Sequence, residues 1–314
     1  MDPAPIISII TPVYNGEKYI EETINSVLSA KTIFPFEYIV LDDGSTDSTL
    51  SIVKKFKDKI ILVSHENIGE ARTVNRGIEL AKGVYVLIVN ADDPLLTEDL
   101  INIGIKEISN DTSVVAVYPD WKIIDNFGHT LKINMLPDYT DDTMIGKCRT
   151  LPGPGTIFRK DAAIAIGGRN PKWRYVSDYD FWLRISRKGQ IMRIPIVLAQ
   201  WRDHLNSTSI SQRNVGMANE RIAVIQEFLN NFSLDKKLAK NALGNAYYMG
   251  ARLSFFDSKV PGRKFMINAI RKNNRIPSET KLSVVVFVFL LPISRAIIKM
   301  LPKSVIYKLG GNKW

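Results

Sequence analysis

With 314 residues, 45% hydrophobic and 24% charged, the chain has ordinary globular proportions and enough apolar mass for a real core. Its single cysteine, Cys148, excludes an internal disulfide framework and fits a reducing compartment. Charge is unevenly spread: of the net +10, residues 259–314 hold twelve Lys or Arg against Glu279, a net +11 that leaves the remainder at −1.

In chain order, Ile6-Ile7-Ser8-Ile9-Ile10 reads as a buried strand, and Glu17 to Ala30 places Ile20, Ile24, Val27 and Leu28 at helical spacing. Tyr38–Leu41 is a second strand, followed by a helix to Phe56 that Ser45 or Thr46 can cap. Ile60–Val63 is a third strand, Ala71–Lys82 a helix with Gly83 as its stop signal, and Val84–Val89 a fourth strand, apolar throughout. This alternation predicts βαβ units and a mostly parallel sheet flanked by helices. Further on, Asn126-Phe127-Gly128-His129 reads as a turn between strands Trp121–Asp125 and Thr130–Ile133. Ser177–Lys188 reads as a helix, and Ile191–Ile194 and Val197–Trp201 as strands. After Asn214 the character turns helical, with helices over Val215–Phe232 and Leu234–Phe256 and a basic helical remainder. The expected division is an α/β region over 1–213, its character changing at about 118, then a helical basic region over 214–314.

Ligands of such sheets sit beyond the carboxyl ends of the strands. Those ends read Thr11-Pro12-Val13-Tyr14-Asn15, Asp42-Asp43-Gly44-Ser45 and Asn90-Ala91-Asp92-Asp93. Adjacent carboxylates at Asp92 and Asp93 repel and call for a counter-charge, which a divalent cation supplies; a solvated, helix-capping loop is the plain alternative. Asp43 suits hydrogen bonds from a nucleobase imide or a ribose, and Gly44 allows close backbone approach; a capped loop, with Ser45 or Asp47 serving the next helix, is the plain alternative. Asp178, in Val176-Ser177-Asp178-Tyr179-Asp180, either caps a helix or acts as a general base, and the local sequence leaves both open. His204 lies in a polar loop after a strand, where it suits a metal or phosphate; Arg202 suits a phosphate contact or an ion pair with Asp203.

Together the segments Thr11–Asn15, Asp42–Thr49, Asn67-Ile68-Gly69 with Asn75-Arg76-Gly77-Ile78, and Asn90–Asp93 resemble family 2 glycosyltransferases in order and spacing, over about residues 5–210. The resemblance implies the GT-A fold, a nucleotide-diphosphate sugar donor, a divalent metal (Mn or Mg) and inversion at the anomeric carbon. It implies that Thr11, Pro12, Tyr14 and Asp43 hold the nucleoside, with Asn90, Asp92 and Arg202 also on the nucleotide-sugar. It further implies Asp92, Asp93 and His204 at the metal and Asp178 as catalytic base. Two positions depart from the family pattern: Asn90 stands where many members have the first Asp of D-x-D, and Ser177 where many have Glu.

The expected reaction is therefore hexosyl or N-acetylhexosaminyl transfer, from a UDP-sugar, to a hydroxyl of a glycan or polyprenyl-linked acceptor. A sugar nucleotidyltransferase would need a glycine-rich basic loop after the first strand, where this chain has Pro12-Val13-Tyr14-Asn15-Gly16-Glu17. A non-catalytic sugar- or membrane-binding relative is at odds with Asp92, Asp93, Asp178 and His204 occurring together. The start, Met1-Asp2-Pro3-Ala4-Pro5, shows no signal-peptide pattern. The run Leu282–Ile293 is shorter than the roughly 20 residues of a spanning helix. With Lys281, Arg295, Lys299, Lys303 and Lys308 beside it, it predicts peripheral attachment to the anionic cytoplasmic face of a membrane. No nucleic-acid-reading motif is present, so nucleic acid is not an expected partner.

Overall fold

The computed structural model describes residues 3–204, 215–254 and 262–273 of the chain. Its contacts divide it into two compact units, one of Met1–Tyr139 with Thr150–His204 and one of Thr140–Arg149 with Leu205–Trp314.

The first unit is built on eight strands: β1 (Ile7–Val13), β2 (Phe36–Asp42), β3 (Ile61–Ser64), β4 (Tyr85–Ile88), β5 (Val114–Ile124), β6 (Thr130–Asn134), β7 (Ile157–Arg159) and β8 (Gln190–Arg202). Their order is β3-β2-β1-β4-β7-β5-β6, with β8 alongside β5. Strands β1 to β4 pair in parallel, through crossovers carrying α1 (Ile20–Leu28), α2 (Thr49–Lys54) and α3 (Glu70–Leu80). Helix α4 (Asp99–Asn110) leads into β5, and α5 (Lys160–Ala165) and α6 (Ser177–Ile185) follow β7. This is the mixed, mostly parallel α/β sheet flanked by helices that the GT-A resemblance implies.

Burial explains the apolar strands. Every residue of β1 except Pro12 is buried. One face, with Ile7, Ile9, Val40 and Leu87, packs on Ile20, Ile24 and Val27 of α1 and on Leu100, Ile101 and Ile105 of α4. The other face receives α3, whose Gly77 comes so near that a Cβ there would stand 2.6 Å from Ile10 Cγ2. Strands covered on both sides have no use for alternation, which is why they read as continuous apolar runs.

The structure corrects several sequence expectations. Helix α2 starts at Thr49 with Ser48, not Ser45 or Thr46, at its N-cap; Ser48 makes no side-chain cap bond, and Asp47 Oδ1 accepts from Thr49 N at 2.9 Å. Gly83 does not stop α3, which ends at Leu80 with Ala81 as C-cap; a Cβ at Gly83 would lie 2.6 Å from Ser8 N, so the glycine admits β1. The two expected strands after α6 are one, β8, with its register against β5 shifted between Pro119/Ile194 and Asp120/Val197. Pro195 falls in that shift: it has no N–H to give the ladder, and a bulge absorbs it. Strand β7, three residues long, was too short to register as a periodic signal, yet it runs antiparallel between β4 and β5. The Asn126–His129 turn is as expected, with Asp125 Oδ1 accepting from Phe127 N at 2.8 Å and His129 N at 2.9 Å.

The second unit contains a single π-helical turn (Asp142–Gly146), α7 (Val215–Asn231), α8 (Lys236–Ser254) and α9 (Gly262–Asn273). Asn245 Nδ2 donates to Gly146 O at 2.7 Å, Arg221 Nη1 to Cys148 O at 3.0 Å, and Cys148 Sγ to Ala242 O at 3.3 Å. Tyr248, Ala251, Met266 and Ala269 form a separate small core. Among the described residues no helix is long and apolar enough to cross a membrane; the apolar run Leu282–Ile293 lies outside the described residues.

The pairing of β5 with β8 encloses a charge. Asp120 is fully buried, and its oxygens accept from Arg193 Nε at 3.0 Å, Arg193 Nη2 at 2.6 Å and Leu136 N at 2.8 Å. Removing one member of such a pair strands the other without a counter-charge. Arg193→Ala should lower unfolding stability by about 3–5 kcal/mol, read from urea denaturation, with Arg193→Lys losing less.

Candidate active site

The loops after β1 and β2 are stitched to each other. Asn15, in the left-handed region at φ 51°, donates its N–H to Ser45 Oγ at 2.9 Å and accepts from Thr46 N at 2.8 Å. Gly16 N donates to Thr49 Oγ1 at 2.8 Å, and Glu17 N to Asp47 Oδ2 at 3.2 Å. These contacts hold the motif Asp42–Thr49 against the end of β1. Asp42 is buried and accepts from Ser45 N and Ser64 Oγ. Asp43 is also buried; its carboxylate takes Ile68 N at 2.7 Å and Gly69 N at 3.0 Å, the residues that lead into α3. Thr11 is buried, its Oγ1 3.0 Å from Tyr38 Oη, while Pro12 is half-buried and Tyr14 is 52% exposed. Of the nucleoside candidates, Tyr14 thus offers an open aromatic face beside a fixed carboxylate, Asp43, and Thr11 is spent inside the strand.

The end of β4 and the end of β8 meet at a second group. His204 Nε2 stands 2.8 Å from Asp92 Oδ2, with the His204 side chain 11% exposed and that of Asp92 31%. Asp93 behaves differently. It is buried, with Oδ1 accepting from Arg202 N at 2.8 Å and Oδ2 from Asn90 Nδ2 at 2.9 Å. Burial, and then the neighbouring Asp92 charge, push its carboxyl well above the usual carboxylate range, against the opposing hydrogen bonds from Arg202 and Asn90 and the Arg202 charge.

Arg202 is 1% exposed and its guanidinium is engaged on every nitrogen. Nε donates to Asp92 O at 2.9 Å, Nη1 to Asp125 O and Asn126 O at 3.2 Å each, and Nη2 to Glu22 Oε2 at 2.7 Å. Its ion-pair partner is Glu22, not the adjacent Asp203, and its donors are committed to the fold. The guanidinium also lies 4.8 Å from the centroid of the Tyr19 ring, whose hydroxyl donates to Asn126 Oδ1 at 2.9 Å and whose face meets the His204 ring at 5.1 Å. Tyr19 and Glu22 carry no functional mark in the sequence, and Asn126 reads there only as a turn residue. Glu22 lies 180 residues from Arg202, and nothing local marks it as a partner. A pair of polar positions in the first turn of an otherwise amphipathic helix was the one available signal.

Among the described residues no group of three His, Cys, Asp or Glu stands at metal-ligand spacing. The Asp92–His204 pair offers one carboxylate and one imidazole. That set does not make a closed all-protein cage, but it fits an ion that takes its remaining ligands from phosphate oxygens and water.

Asp178 lies apart from this group in its contacts. It is exposed in the first turn of α6, and its Oδ1 takes only the neighbouring Tyr179 N at 2.7 Å among the described residues. The next acid, Asp180, is buried and paired with Arg184, 2.6 Å from Oδ2 to Nη2.

Residues 8–167 match the sequence model of glycosyl transferase family 2. The chain belongs to that family. Consistent with this, the glycosyltransferase is 34% identical over 227 residues to an uncharacterized glycosyltransferase of Rickettsia prowazekii, spanning 67% of this chain and 68% of that one. It is 26% identical over 274 residues to a hyaluronan synthase of Pasteurella multocida, covering 84% of this chain but 26% of the larger synthase. Its fold matches the crystal structure of S. aureus TarS 1–349 in complex with UDP-GlcNAc at a TM-score of 0.65 and 23% identity, over 84% of this chain and 79% of that one. A Pyrobaculum calidifontis mannosyltransferase, in complex with GDP-Man and Mn2+, superposes at 0.58 with 16% identity, over 94% and 88%.

The raised Asp93 carboxyl has a signed consequence. Because the folded state binds its proton more tightly than the unfolded chain does, folding loses stability as pH rises from the ordinary carboxylate range to the raised folded value. Asp93→Asn keeps an acceptor for Arg202 N and removes the charge. Thermal unfolding followed against pH should show the parent weakening across that window and Asp93→Asn staying level, whereas Asp92→Asn, which removes one of the two causes of the shift, should show a reduced slope.

Proposed function

We propose that the enzyme inverts configuration while moving a hexosyl or N-acetylhexosaminyl group from a UDP-sugar to a hydroxyl of a glycan or polyprenyl-linked acceptor. Family membership gives glycosyl transfer itself. The observation that carries the finer reading is the Asp92–His204 pair, held at the carboxyl ends of β4 and β8 by the buried Arg202 and its partners. TarS in complex with UDP-GlcNAc supports the choice of donor.

In this reading Tyr14 and Asp43 grip the nucleoside, the exposed ring against the base and the buried carboxylate fixed by Ile68 N and Gly69 N. Asp92 and His204 would hold a divalent ion, with Asn90 and Asp93 hydrogen-bonded to each other beside them. When bound, the ion supplies a Lewis acid that offsets charge on the departing diphosphate. Asp178 takes the proton of the acceptor hydroxyl. The hydroxyl oxygen forms its bond to the anomeric carbon as the bond from that carbon to the diphosphate oxygen breaks, and the nucleoside diphosphate leaves. Orientation of the two substrates contributes much of the rate.

The test is steady-state transfer with candidate UDP-sugars, with Mn2+ and with excess EDTA. Asp178→Asn should cut turnover by about 10²- to 10⁴-fold with donor affinity little changed, as loss of a general base does. Full turnover in EDTA removes the metal from the reading, and a matching loss of donor affinity in Asp178→Asn makes that residue a binding group instead.

The excess of Lys and Arg over residues 259–314 supports peripheral attachment to an anionic bilayer, each basic residue near such a surface contributing roughly 1 kcal/mol. In flotation with anionic vesicles the full chain should rise and a chain ending at Pro277 should stay in solution; equal behaviour of the two refutes the attachment.

A further inference from the structure

Helix α6 is enclosed almost all round: seven of its nine residues are buried, including the polar Ser177 and Asp180, and Asp178 is its exposed member. Such a helix has little freedom of its own, so the placing of Asp178 depends on what α6 is fastened to. Phe181 and Trp182 meet the Phe158 ring of β7 with centroids 5.4 and 5.7 Å apart, which fixes its depth over the sheet. Its polar fastening runs elsewhere. Arg184 Nη1 donates to Ile166 O at 2.6 Å and Nη2 to Gly168 O at 2.8 Å, while Nε and Nη2 hold Asp180 Oδ2 at 2.8 and 2.6 Å. One guanidinium therefore ties the first turn of α6 to the Ile166–Gly168 turn.

That turn is in its own right clasped by α3. Asn75 Oδ1 accepts from Arg169 N at 2.7 Å, and Asn75 Nδ2 donates to Arg169 O at 2.8 Å, so one amide side chain satisfies both backbone groups of a single residue. Arg169 Nη1 adds a 2.6 Å bond to Glu70 Oε1 at the first position of α3. Gly167 and Gly168 have φ of 74° and 67°, a region open to glycine. A Cβ at Gly168 would be driven against Asn75 Oδ1, 2.3 Å away. The start of α3 is in turn held by Asp43, through Ile68 N and Gly69 N. Hydrogen bonds, linked through the backbone of α3 and of the Gly167–Arg169 turn, thus join Asp43 to the helix that carries Asp178.

We infer that Asn75, acting through the Gly167–Arg169 turn and Arg184, is a positioning residue for Asp178. It sets where the base stands relative to the donor without touching either substrate. The inference rests on the assignment of Asp178 as the base. A displacement of about 1 Å at a reacting group can cost on the order of 100-fold in rate, so breaking the clasp should lower turnover by roughly 10- to 100-fold.

The test is a double-mutant cycle on the full chain with UDP-sugar and Mn2+. Asn75→Ala should lower kcat by that factor and leave donor KM within about twofold, because only the placing of the base is lost. In an Asp178→Asn background the same change should cost nothing further, since there is no base left to misplace. Gly168→Ala reaches the same clasp from its other side and should show the same split and the same masking, which covers the case in which Asn75→Ala fails to fold. Costs that multiply in the double variants, or a rise in donor KM with kcat unchanged, overturn the inference and leave Asn75 a structural residue. If Asp178→Asn itself retains turnover, the base assignment falls and the inference falls with it. If Asp178→Asn is inactive while both clasp variants keep full kcat, the inference fails alone.

Discussion

The site depends on one buried cation. Arg202, at the last position of β8, is cut off from water and must find all of its hydrogen-bond partners inside the protein. It finds them on three separate pieces of chain: Glu22 on α1, the carbonyl of Asp92 after β4, and the carbonyls of Asp125 and Asn126 in the β5–β6 turn. Its own N–H closes on Asp93. Satisfying that single side chain brings together segments that are far apart in sequence, and the Asp92–His204 pair forms at their meeting point. The bonds of the arginine hold the backbone on either side of both metal candidates, Asp92 through its own carbonyl and His204 through the strand end two residues before it.

The two neighbouring acids after β4 divide the work that this imposes. Asp93 turns inward and stays hydrogen-bonded to Arg202 N and Asn90 Nδ2 at the cost of a strained protonation balance. Asp92 is left half-exposed and facing His204. A departure from the family pattern that looks like a loss, Asn90 in place of an acid, is here a gain of a donor: an aspartate at that position would bring a third carboxylate to a buried oxygen that already needs a proton or a hydrogen bond. The same logic separates Asp178 from Asp180 on α6, where the inward acid is paired with Arg184 and the outward one is open for chemistry.

The sequence made the parallel half of the sheet plain because strands buried on both faces and helices with one apolar stripe leave strong periodic marks. Strand β7 and the bend in β8 left no such mark: three residues are too few to show a period, and the Pro195 bulge looks like a strand ending. The motif residues at the strand ends could be picked out by composition and by likeness to a family, but their division of labour could not. Thr11 inside the strand and Arg202 inside the fold are read as ligand-facing on sequence alone, because burial of a polar side chain is decided by partners such as Tyr38 and Glu22 that no local pattern predicts. The clasp on Arg169 was invisible for the same reason, since Asn75 and Arg169 are 94 residues apart.

The ten residues Thr140–Arg149 leave the sheet unit and take their partners from helices encoded much later, Ala242 and Asn245 lying 94 and 99 residues beyond the groups they bind. On the ribosome this stretch emerges well before those helices do. Met144, Ile145 and Cys148, all buried in the finished protein, must wait in the open while β7, α6 and β8 are made. The order of synthesis therefore gives the helical region a duty toward the nascent chain, as the late cover for an apolar segment that would otherwise invite association with other chains.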